Sequence, residues 1–530
     1  MSGTTVRPAA GPSRGAAAAA RRLGPLTPAG LAIAAATLLA LGLRCYQLAQ
    51  PGHLLGVGDY DDGADFGSAL QLIHGVLPYR DFIIVQPPGI TLLMTPAALL
   101  SHLTGTAGAI AAGRILTVLA SAACVVLGGL LVRHRGVFAT AVTCGVIAIY
   151  PGSVQAAHTV LLEPWLTAFC LAGAVAVFDG DRLASGWRLA WGGAVLGFAG
   201  AVKVWAIIPV AVIAVVCLAR PRQAGHRQAG RFVAGVAAGF LIPVVPFAAP
   251  APGRFWDSVI VAQLARTGTR TPVAFRLEYL TGLAGWQPPA ALLWIAAALI
   301  AAAVAGAPFA AWLATRQAPP PLEWFAIATT AVAVIAFFIP DDFYYHYSAF
   351  LAPFLAMAFA LPAARLLDAR PAWLPVAPRP AVWLACLVIL VLPLALPGAE
   401  DSPTPTYASA LPAIQRAVPP GACVLSDQAS LLISADRFSS SAAPGCPVIM
   451  DGTGTSYALG GGRSPAQAGS VPAVAGLWLQ AFRAAQYVLL TPSNRNRIAW
   501  NRQLESYFTS NFVQVSGHWA PLALYERRGG

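Results

Sequence analysis

Four aspartates lie close together in the stretch GDYDDGADF: Asp59, Asp61, Asp62 and Asp65. Charged residues make up only 10% of the chain, so this density of acid is unusual. A carboxylate can accept the proton of a hydroxyl during bond formation, which is general base catalysis. The residue types therefore indicate a candidate base. A solvated acidic loop is the competing interpretation, and it explains Asp59 and Asp65 equally well.

The segment after these aspartates predicts a helix. Phe66, Leu70 and Ile73 recur at the spacing of one helix face. We expect this helix to lie on the membrane surface with its apolar face toward lipid. A helix beginning there would hold Asp61 and Asp62 at the level of the lipid headgroups, which favours a functional role for both.

Two further charges lie at the ends of apolar segments. Glu163 stands in LLEPW, before a proline at a helix-opening position, where an acid is also favourable simply as a helix N-terminal charge. Lys203, in GAVKVW, is the only lysine of the chain. A lysine at a helix end can extend its amine toward water, or it can bind a phosphate as a point charge. The sequence leaves both interpretations open.

An aromatic cluster follows another apolar segment, in FYYHYSAF. Tyr345, His346 and Tyr347 have two equally good explanations, which are an aromatic belt at the membrane interface and contact with a substrate. With the acids and the lysine, they predict a group of chemically active side chains at one membrane face.

The elements that position these residues are membrane helices. Hydrophobic residues make up 57% of the chain and the mean hydropathy is +0.66. Apolar stretches of spanning length recur from residue 28 to residue 397, which indicates a polytopic all-α membrane domain. Eleven spans are predicted, near residues 28–48, 108–132, 136–151, 163–178, 189–202, 204–218, 232–249, 286–313, 322–339, 347–366 and 380–397.

Arginine placement predicts the topology. The loop 219–231 carries four arginines between two spans, and such loops face the cytoplasm. The net charge of +12 therefore reflects topology, and no nucleic-acid partner is expected. We predict a disordered cytoplasmic N-terminus over 1–27, a membrane domain over 28–400 and an external loop over 49–107. Within that loop the segment 87–103 does not cross, because a crossing would place the basic loop 132–136 outside.

Residues 401–530 predict a small extracytoplasmic α/β domain. Short strands are expected at CVLS, PVIM, QYVLLT, FVQVS and LALYE, with helices near 473–485 and 498–508. The stretch DGTGTS (451–456) is interpreted as a turn. Cys423 and Cys446 are the only cysteines outside the membrane part, and spacing alone leaves open whether they pair.

Taken in order, four stretches resemble the GT-C superfamily of integral-membrane glycosyltransferases, and above all its protein O-mannosyltransferase and aminoarabinose-transferase-like branch. They are DYDDGADFGSALQLIHGVLPYRDFIIVQPPG, LLEPW, AGAVKVWAIIP and YYHYSAFLAPFLA. The resemblance covers most of residues 28–370. It implies a helical membrane domain with juxtamembrane helices in the first external loop.

The resemblance also implies roles for individual residues. Asp61 matches the acceptor-activating base, Asp62 the second member of an acidic pair that is commonly Asp-Glu, and Glu163 a second acid. Lys203 matches a lysine near the donor phosphate. Asp65 stands where relatives often have an aromatic residue, which leaves Asp59 as a competing base. Substrate contacts are expected from Asp59, Tyr345, His346 and Tyr347. No cofactor is certain, and a divalent cation stays open.

The implied activity is transfer of a sugar from a polyprenyl-phosphate donor, by single displacement with inversion, to an envelope glycan, lipid or protein. It would take place on the outer face of a bacterial plasma membrane. A transporter or flippase of a lipid-linked precursor is one alternative. The other is a polymerase or ligase of lipid-linked glycan, which would use arginines of the loop 250–285, namely Arg254, Arg266, Arg270 and Arg276.

Overall fold

The long apolar segments form helices. The structure, a computed structural model, describes residues 27–219, 222–267, 270–369, 407–438, 445–447 and 449–529. The first half contains α1 (Pro28–Ala49), α2 (Asp61–Leu72), α3 (Gly89–Leu99), α4 (Ser101–Val132), α5 (Gly136–Ile149), α6 (Pro151–Gln155), α7 (Leu162–Val177), α8 (Trp187–Val202), α9 (Ile207–Leu218) and α10 (Arg222–Ala248), with a two-stranded turn of β1 (Phe178–Asp179) and β2 (Arg182–Leu183).

The second half of the membrane part is described as far as residue 369. Its helices are α11 (Pro252–Trp256), α12 (Ala262–Leu264), α13 (Val273–Leu280), α14 (Ala290–Thr315), α15 (Pro321–Phe338) and α16 (Ser348–Ala369), with a 3₁₀ turn at Tyr345–Tyr347. Six helical stretches among the described residues are long and apolar enough to cross a membrane. Each of the first ten predicted spans coincides with a helix, but the helices Leu162–Val177, Trp187–Val202 and Ile207–Leu218 have only 16, 16 and 12 residues and are not among the six. The prediction at 380–397, like residues 1–26, lies outside the described residues.

The segment 87–103, within the predicted external loop, contains only a short helix. Helix α3 has 11 residues, about 16 Å at 1.5 Å per residue, against a hydrocarbon core of about 30 Å. The chain then turns at Gly105, whose φ of 73° lies in the left-handed region, before α4 continues. This agrees with the prediction that 87–103 does not cross.

The predicted surface helix is a helix, but its environment was predicted wrongly. All residues of α2 from Asp62 to Gln71 are buried, and Phe66 and Leu70 are 0% and 1% exposed. Helix α3 packs on one side of α2, and a helix of the C-terminal part packs on another. The helix is therefore enclosed by protein, because the C-terminal part covers the face that the sequence pattern assigned to water or lipid.

Helix α8 approaches α10 closely through glycine. Gly193 and Gly197 of α8 contact the backbone of α10, and Gly235 and Gly239 of α10 contact the backbone of α8. Small residues four apart let two membrane helices touch along their backbones. This contact fixes the end of α8, directly before Lys203.

The C-terminal part has the predicted α/β composition. Its helices are α17 (Leu411–Ala417), α18 (Ala429–Ser434), α19 (Gly452–Leu459), α20 (Pro465–Ala468), α21 (Pro472–Ala484) and α22 (Arg502–Asn511). Its strands are β3 (Val424–Ser426), β4 (Tyr487–Leu490), β5 (Phe512–Gln514) and β6 (Ala523–Arg527), in the order β3-β4-β6-β5. Strands β3 and β4 are parallel, and the other two pairs are antiparallel.

Two local predictions for this part were wrong. PVIM forms no strand at its described residues 447 and 449–450, and DGTGTS is no turn, because Asp451 caps α19 by accepting a hydrogen bond from the amide of Gly454 at 2.7 Å. A side-chain cap at an Asp-x-x position starts a helix as readily as a loop. Cys423 and Cys446 form a disulfide, with their Cα atoms 5.4 Å apart.

The C-terminal part docks on the membrane part through polar contacts. Asp436 accepts hydrogen bonds from the backbone amide of Ala107 at 2.8 Å and from the hydroxyl of Thr106 at 3.1 Å. Gly63 of α2 lies so close to Ser430 of α18 that a Cβ atom there would overlap the backbone. The absence of a side chain at this position is what lets the two parts touch.

We predict that Gly63→Ala destabilises the protein by about 1–3 kcal/mol, because the added methyl group overpacks the contact against a backbone that cannot move aside. Gly42→Ala is the matched control, since no atom lies within 4 Å of its Cβ position and alanine favours the helix. Thermal unfolding in detergent checks this. Equal melting temperatures for the two variants would contradict the account of the docking.

Candidate functional site

Most of the predicted site residues line one cavity. Its volume is about 400 Å³, within the range of small-molecule sites, and both the membrane part and the C-terminal part line it. The predicted residues on its wall are Asp59, Asp61, Lys203, Tyr345, His346 and Tyr347, and Asp65, which was not predicted as a site residue, also lines it. Asp62 and Glu163 are not on this wall. Each is fully buried behind it.

Glu163 lies behind the wall and holds two of its residues. Its Oε1 atom accepts a hydrogen bond from Lys203 Nζ at 2.5 Å, and its Oε2 atom lies 2.8 Å from His346 Nδ1. All three side chains are at most 6% exposed. The first turn of α7 thus joins the α8–α9 connection to the 3₁₀ turn before α16, so Glu163 is a positioning residue.

Lys203 is buried rather than extended toward water. Its backbone is extended (φ −151°, ψ 134°), which interrupts the helix between α8 and the short 3₁₀ turn that follows. The ammonium group lies 4.2 Å from the ring centre of Trp205 and 4.4 Å from that of Tyr347. Aromatic faces stabilise a partly desolvated cation, so the interpretation as a snorkelling lysine was wrong.

Asp61 is the carboxylate that the protein leaves most available. Its closest charged contact is His346, with Nε2 and Oδ2 3.8 Å apart, and its side chain is 41% exposed, into the cavity. Loss of bulk water there, with Asp59 and Asp451 nearby, raises the pKa of Asp61 to about 7, while His346 and Lys203 oppose that rise. A carboxylate with a pKa near the working pH is suited to general base chemistry.

Asp59 is engaged in holding the loop. Its Oδ1 atom accepts the backbone amides of Tyr60 at 2.6 Å and Asp61 at 3.1 Å, and its Oδ2 atom accepts the hydroxyl of Tyr345 at 2.8 Å. These bonds orient the first turn of α2. They also occupy both carboxylate oxygens, so Asp59 is the weaker candidate for a base.

Asp62 points away from the cavity. Its Oδ2 atom lies 3.0 Å from Arg114 Nη2 and accepts the hydroxyl of Thr159 at 2.5 Å, and both charged side chains are 0% exposed. Successive residues of a helix differ by about 100° in direction, so Asp61 and Asp62 cannot face one ligand together. The expectation that Asp62 acts on the substrate is therefore corrected, since its carboxylate neutralises a buried arginine instead.

The C-terminal part completes the cavity wall. The Tyr60 hydroxyl donates to Asp451 Oδ1 at 3.0 Å and accepts the amide of Thr453 at 3.1 Å, while the Arg497 guanidinium lies 4.6 Å from the Tyr60 ring centre. The side chains of Gln428 and Ser430 donate to the backbone oxygen of Asp59 at 3.0 and 2.9 Å. The loop that carries Asp61 is thus held from both sides.

An arginine of the loop 250–285 positions the aromatic cluster. The Arg276 guanidinium donates to the backbone oxygens of Phe337, Pro340 at 2.7 Å and Asp341 at 2.5 Å. It therefore closes the end of α15 and fixes the segment leading to Tyr345. Of the other arginines of this loop, Arg254 donates to the backbone of Arg80, and Arg266 lies on the cavity wall over the Tyr457 ring.

Among the polar residues of the cavity wall that the sequence did not predict are Asp451, Thr453 and Arg497, while Arg266 was named only for the polymerase or ligase alternative. Asp451, Thr453 and Arg497 belong to the C-terminal part, which carried no motif that pointed to a site. The one available signal was the DGTGTS stretch, because an Asp followed by small residues can cap a helix at a ligand. The other wall residues of the C-terminal part could not be predicted, because they lie far along the chain from the predicted site residues.

The described residues include no group of three or more His, Cys, Asp or Glu side chains arranged to hold a metal ion. The two acids that could have held a cation are engaged by cationic side chains, Asp62 by Arg114 and Glu163 by Lys203.

Comparison with known proteins shows the fold. No family model matches the chain, and no curated protein matches it. Among solved structures, ArnT from Cupriavidus metallidurans bound to undecaprenyl phosphate matches with a TM-score of 0.57 and 15% identity, over 93% of this chain and 97% of that one. The oligosaccharyltransferase of Archaeoglobus fulgidus in complex with Zn and sulfate matches with a TM-score of 0.51 and 13% identity, over 94% and 73%. The chain therefore has the GT-C fold, as the sequence resemblance predicted.

Stability measurements should separate the two adjacent aspartates. We predict that Asp62→Asn destabilises the protein by about 3–5 kcal/mol, because it leaves the buried Arg114 charge unpaired. Asp61→Asn should cost no stability at pH 8, because the folded state already disfavours the Asp61 charge. Thermal unfolding of both variants in detergent is the measurement. A larger loss for Asp61→Asn would reverse the assignment.

Proposed function

We propose that this chain, a membrane protein with the GT-C fold, transfers a sugar from a polyprenyl-phosphate donor to a cell-envelope acceptor. The proposal rests on the observation that the Asp61 carboxylate and the Lys203 ammonium group line the same cavity of about 400 Å³. The ArnT structure of similar fold, bound to undecaprenyl phosphate, supports a lipid-linked donor.

In the proposed reaction the Asp61 carboxylate takes the proton of the acceptor hydroxyl. The acceptor oxygen forms a bond to the anomeric carbon while the bond from that carbon to the phosphate oxygen breaks. The electron pair leaves with the phosphate, whose added charge the Lys203 ammonium stabilises. One displacement inverts the anomeric centre. Glu163 keeps Lys203 and His346 in place throughout.

The location of the site fits an amphipathic substrate. Lys203 lies at the junction of two apolar helices, so a phosphate bound there would have its prenyl chain beside lipid-facing surface. The disulfide of Cys423 and Cys446 supports an extracytoplasmic C-terminal part, since disulfides persist in oxidising compartments. With this support we propose that the reaction takes place on the outer face of a bacterial plasma membrane and that the N-terminus is cytoplasmic.

Removal of the base should abolish transfer in a folded protein. We predict that Asp61→Asn lowers kcat/KM for transfer from a labelled polyprenyl-phosphate sugar by about 100- to 10,000-fold, the usual contribution of a general base. Purified protein, a panel of such donors and crude envelope acceptor provide the assay. Full transfer by the variant would contradict the assignment of Asp61 as the base. If the unmodified protein transferred sugar from no lipid-linked donor, the proposed function would be wrong.

Removal of the Lys203 ammonium group should weaken binding of the donor. We predict that Lys203→Ala weakens the affinity for undecaprenyl phosphate by about 10- to 100-fold, the worth of a charged hydrogen bond. Arg365→Ala is the matched control, because Arg365 is a buried cation 2.9 Å from Glu323 at the opposite end of the helix bundle. Both variants should lose stability, and only Lys203→Ala should lose affinity. Equal affinities would contradict the role of Lys203.

The raised pKa of Asp61 predicts a pH profile. A base must be ionised, so kcat/KM should fall as pH decreases through about 7, by about tenfold per unit at lower pH. His346→Gln removes a charge that lowers this pKa and should move the midpoint upward, whereas Asp59→Asn removes one that raises it and should move the midpoint downward. A flat profile between pH 5.5 and 8 would exclude Asp61 as the titrating base.

A further inference from the structure

Asp65 is one of the carboxyl groups on the cavity wall that the proposed reaction does not use. It lies one helical turn after Asp61 on α2, and residues four apart share a helix face. Its side chain lines the same cavity, and the residue is only 2% exposed. Between them, Ala64 also lines the cavity with a side chain too small to cover either carboxyl group.

The Asp65 carboxyl group is incompletely satisfied by protein. Among the described residues its Oδ2 atom has no hydrogen-bond partner. A buried polar atom without a partner costs about 1–3 kcal/mol, so such an atom in a side chain that lines a ligand cavity indicates a carboxyl group that can turn to a partner supplied by the ligand. Within the part of the chain that the structure describes, no cation forms an ion pair with Asp65, whereas Asp62 and Glu163 are both paired.

The surroundings of Asp65 determine what it can offer. Burial, with Asp61 and Glu163 as the main charged neighbours, raises the pKa of Asp65 well above its ordinary value, and Lys203 only partly opposes this. These surroundings favour the protonated form of the carboxyl group. A protonated carboxyl group both donates and accepts a hydrogen bond, which matches a sugar hydroxyl.

The position of Asp65 relative to the reacting groups indicates which part of a substrate it meets. In the proposed reaction the acceptor oxygen lies at Asp61 and the departing phosphate at Lys203, and the sugar ring must lie between them. Asp65 interacts electrostatically with both of these residues. We propose that Asp65 hydrogen-bonds a hydroxyl of the transferred sugar through its carboxyl group, and so determines which sugar the site accepts.

This inference rests on the proposed function, and binding measurements can separate the two. The probes are undecaprenyl phosphate alone and one of its sugar esters. The ester is chosen from those of mannose, glucose and arabinose as the one that the unmodified protein transfers. We expect Asp65→Leu to weaken binding of that ester by about tenfold or more, and to leave binding of undecaprenyl phosphate unchanged. Asp65→Asn keeps a donor and an acceptor, so it should retain most of the sugar-dependent affinity.

Donors that each lack one sugar hydroxyl identify the contact. With the unmodified protein, one of these donors should bind about tenfold more weakly than the parent ester, and in Asp65→Leu that difference should vanish. Loss of affinity for undecaprenyl phosphate and its ester alike would overturn the inference, as would an unchanged preference for the ester. Failure of the unmodified protein to bind any sugar ester would overturn both the inference and the proposed function.

Discussion

The buried contact of Glu163 with Lys203 and His346 is the constraint on which the site depends. It joins the start of α7, the break between α8 and α9, and the turn before α16, at distances of 2.5 and 2.8 Å. Charges buried in a membrane protein are costly unless they are paired, and here one carboxylate serves two partners while two aromatic rings enclose the ammonium. Because α8 must end for Lys203 to reach Glu163, the same contact explains the extended backbone at that residue.

The second constraint is the docking of the C-terminal part on α2. Tyr60 contacts Asp451, and the backbone oxygen of Asp59 accepts bonds from Gln428 and Ser430. The loop before α2 would otherwise be a polar external segment with few contacts of its own. Docking encloses the cavity into which the Asp61 side chain opens, and burial there is the main cause of its raised pKa. The chemistry of the membrane part is thus tuned by residues almost 400 positions away.

Several features of the site were accessible from the sequence. Acids, a single lysine and an aromatic cluster in a chain with 10% charged residues identified Asp61, Lys203 and His346 as residues of one site. A helix directly after the aspartates followed from periodicity, and the non-crossing segment 87–103 followed from proline content and arginine placement. The sequence could not distinguish the roles of Asp61 and Asp62, because it does not show which way each side chain points or which residue it contacts.

The sequence by itself determined the class of protein, the positions of the helices and which residue types could act as base and cation, because hydropathy and charge scarcity are properties of the chain alone. Only the tertiary structure decided how these residues are used. It turned Asp62 toward Arg114, placed Glu163 behind the wall and brought Asp451 and Arg497 onto it. The physical reason is that burial and pairing depend on neighbours distant in sequence, and these decide whether a carboxylate neutralises a buried cation or stays available to a ligand.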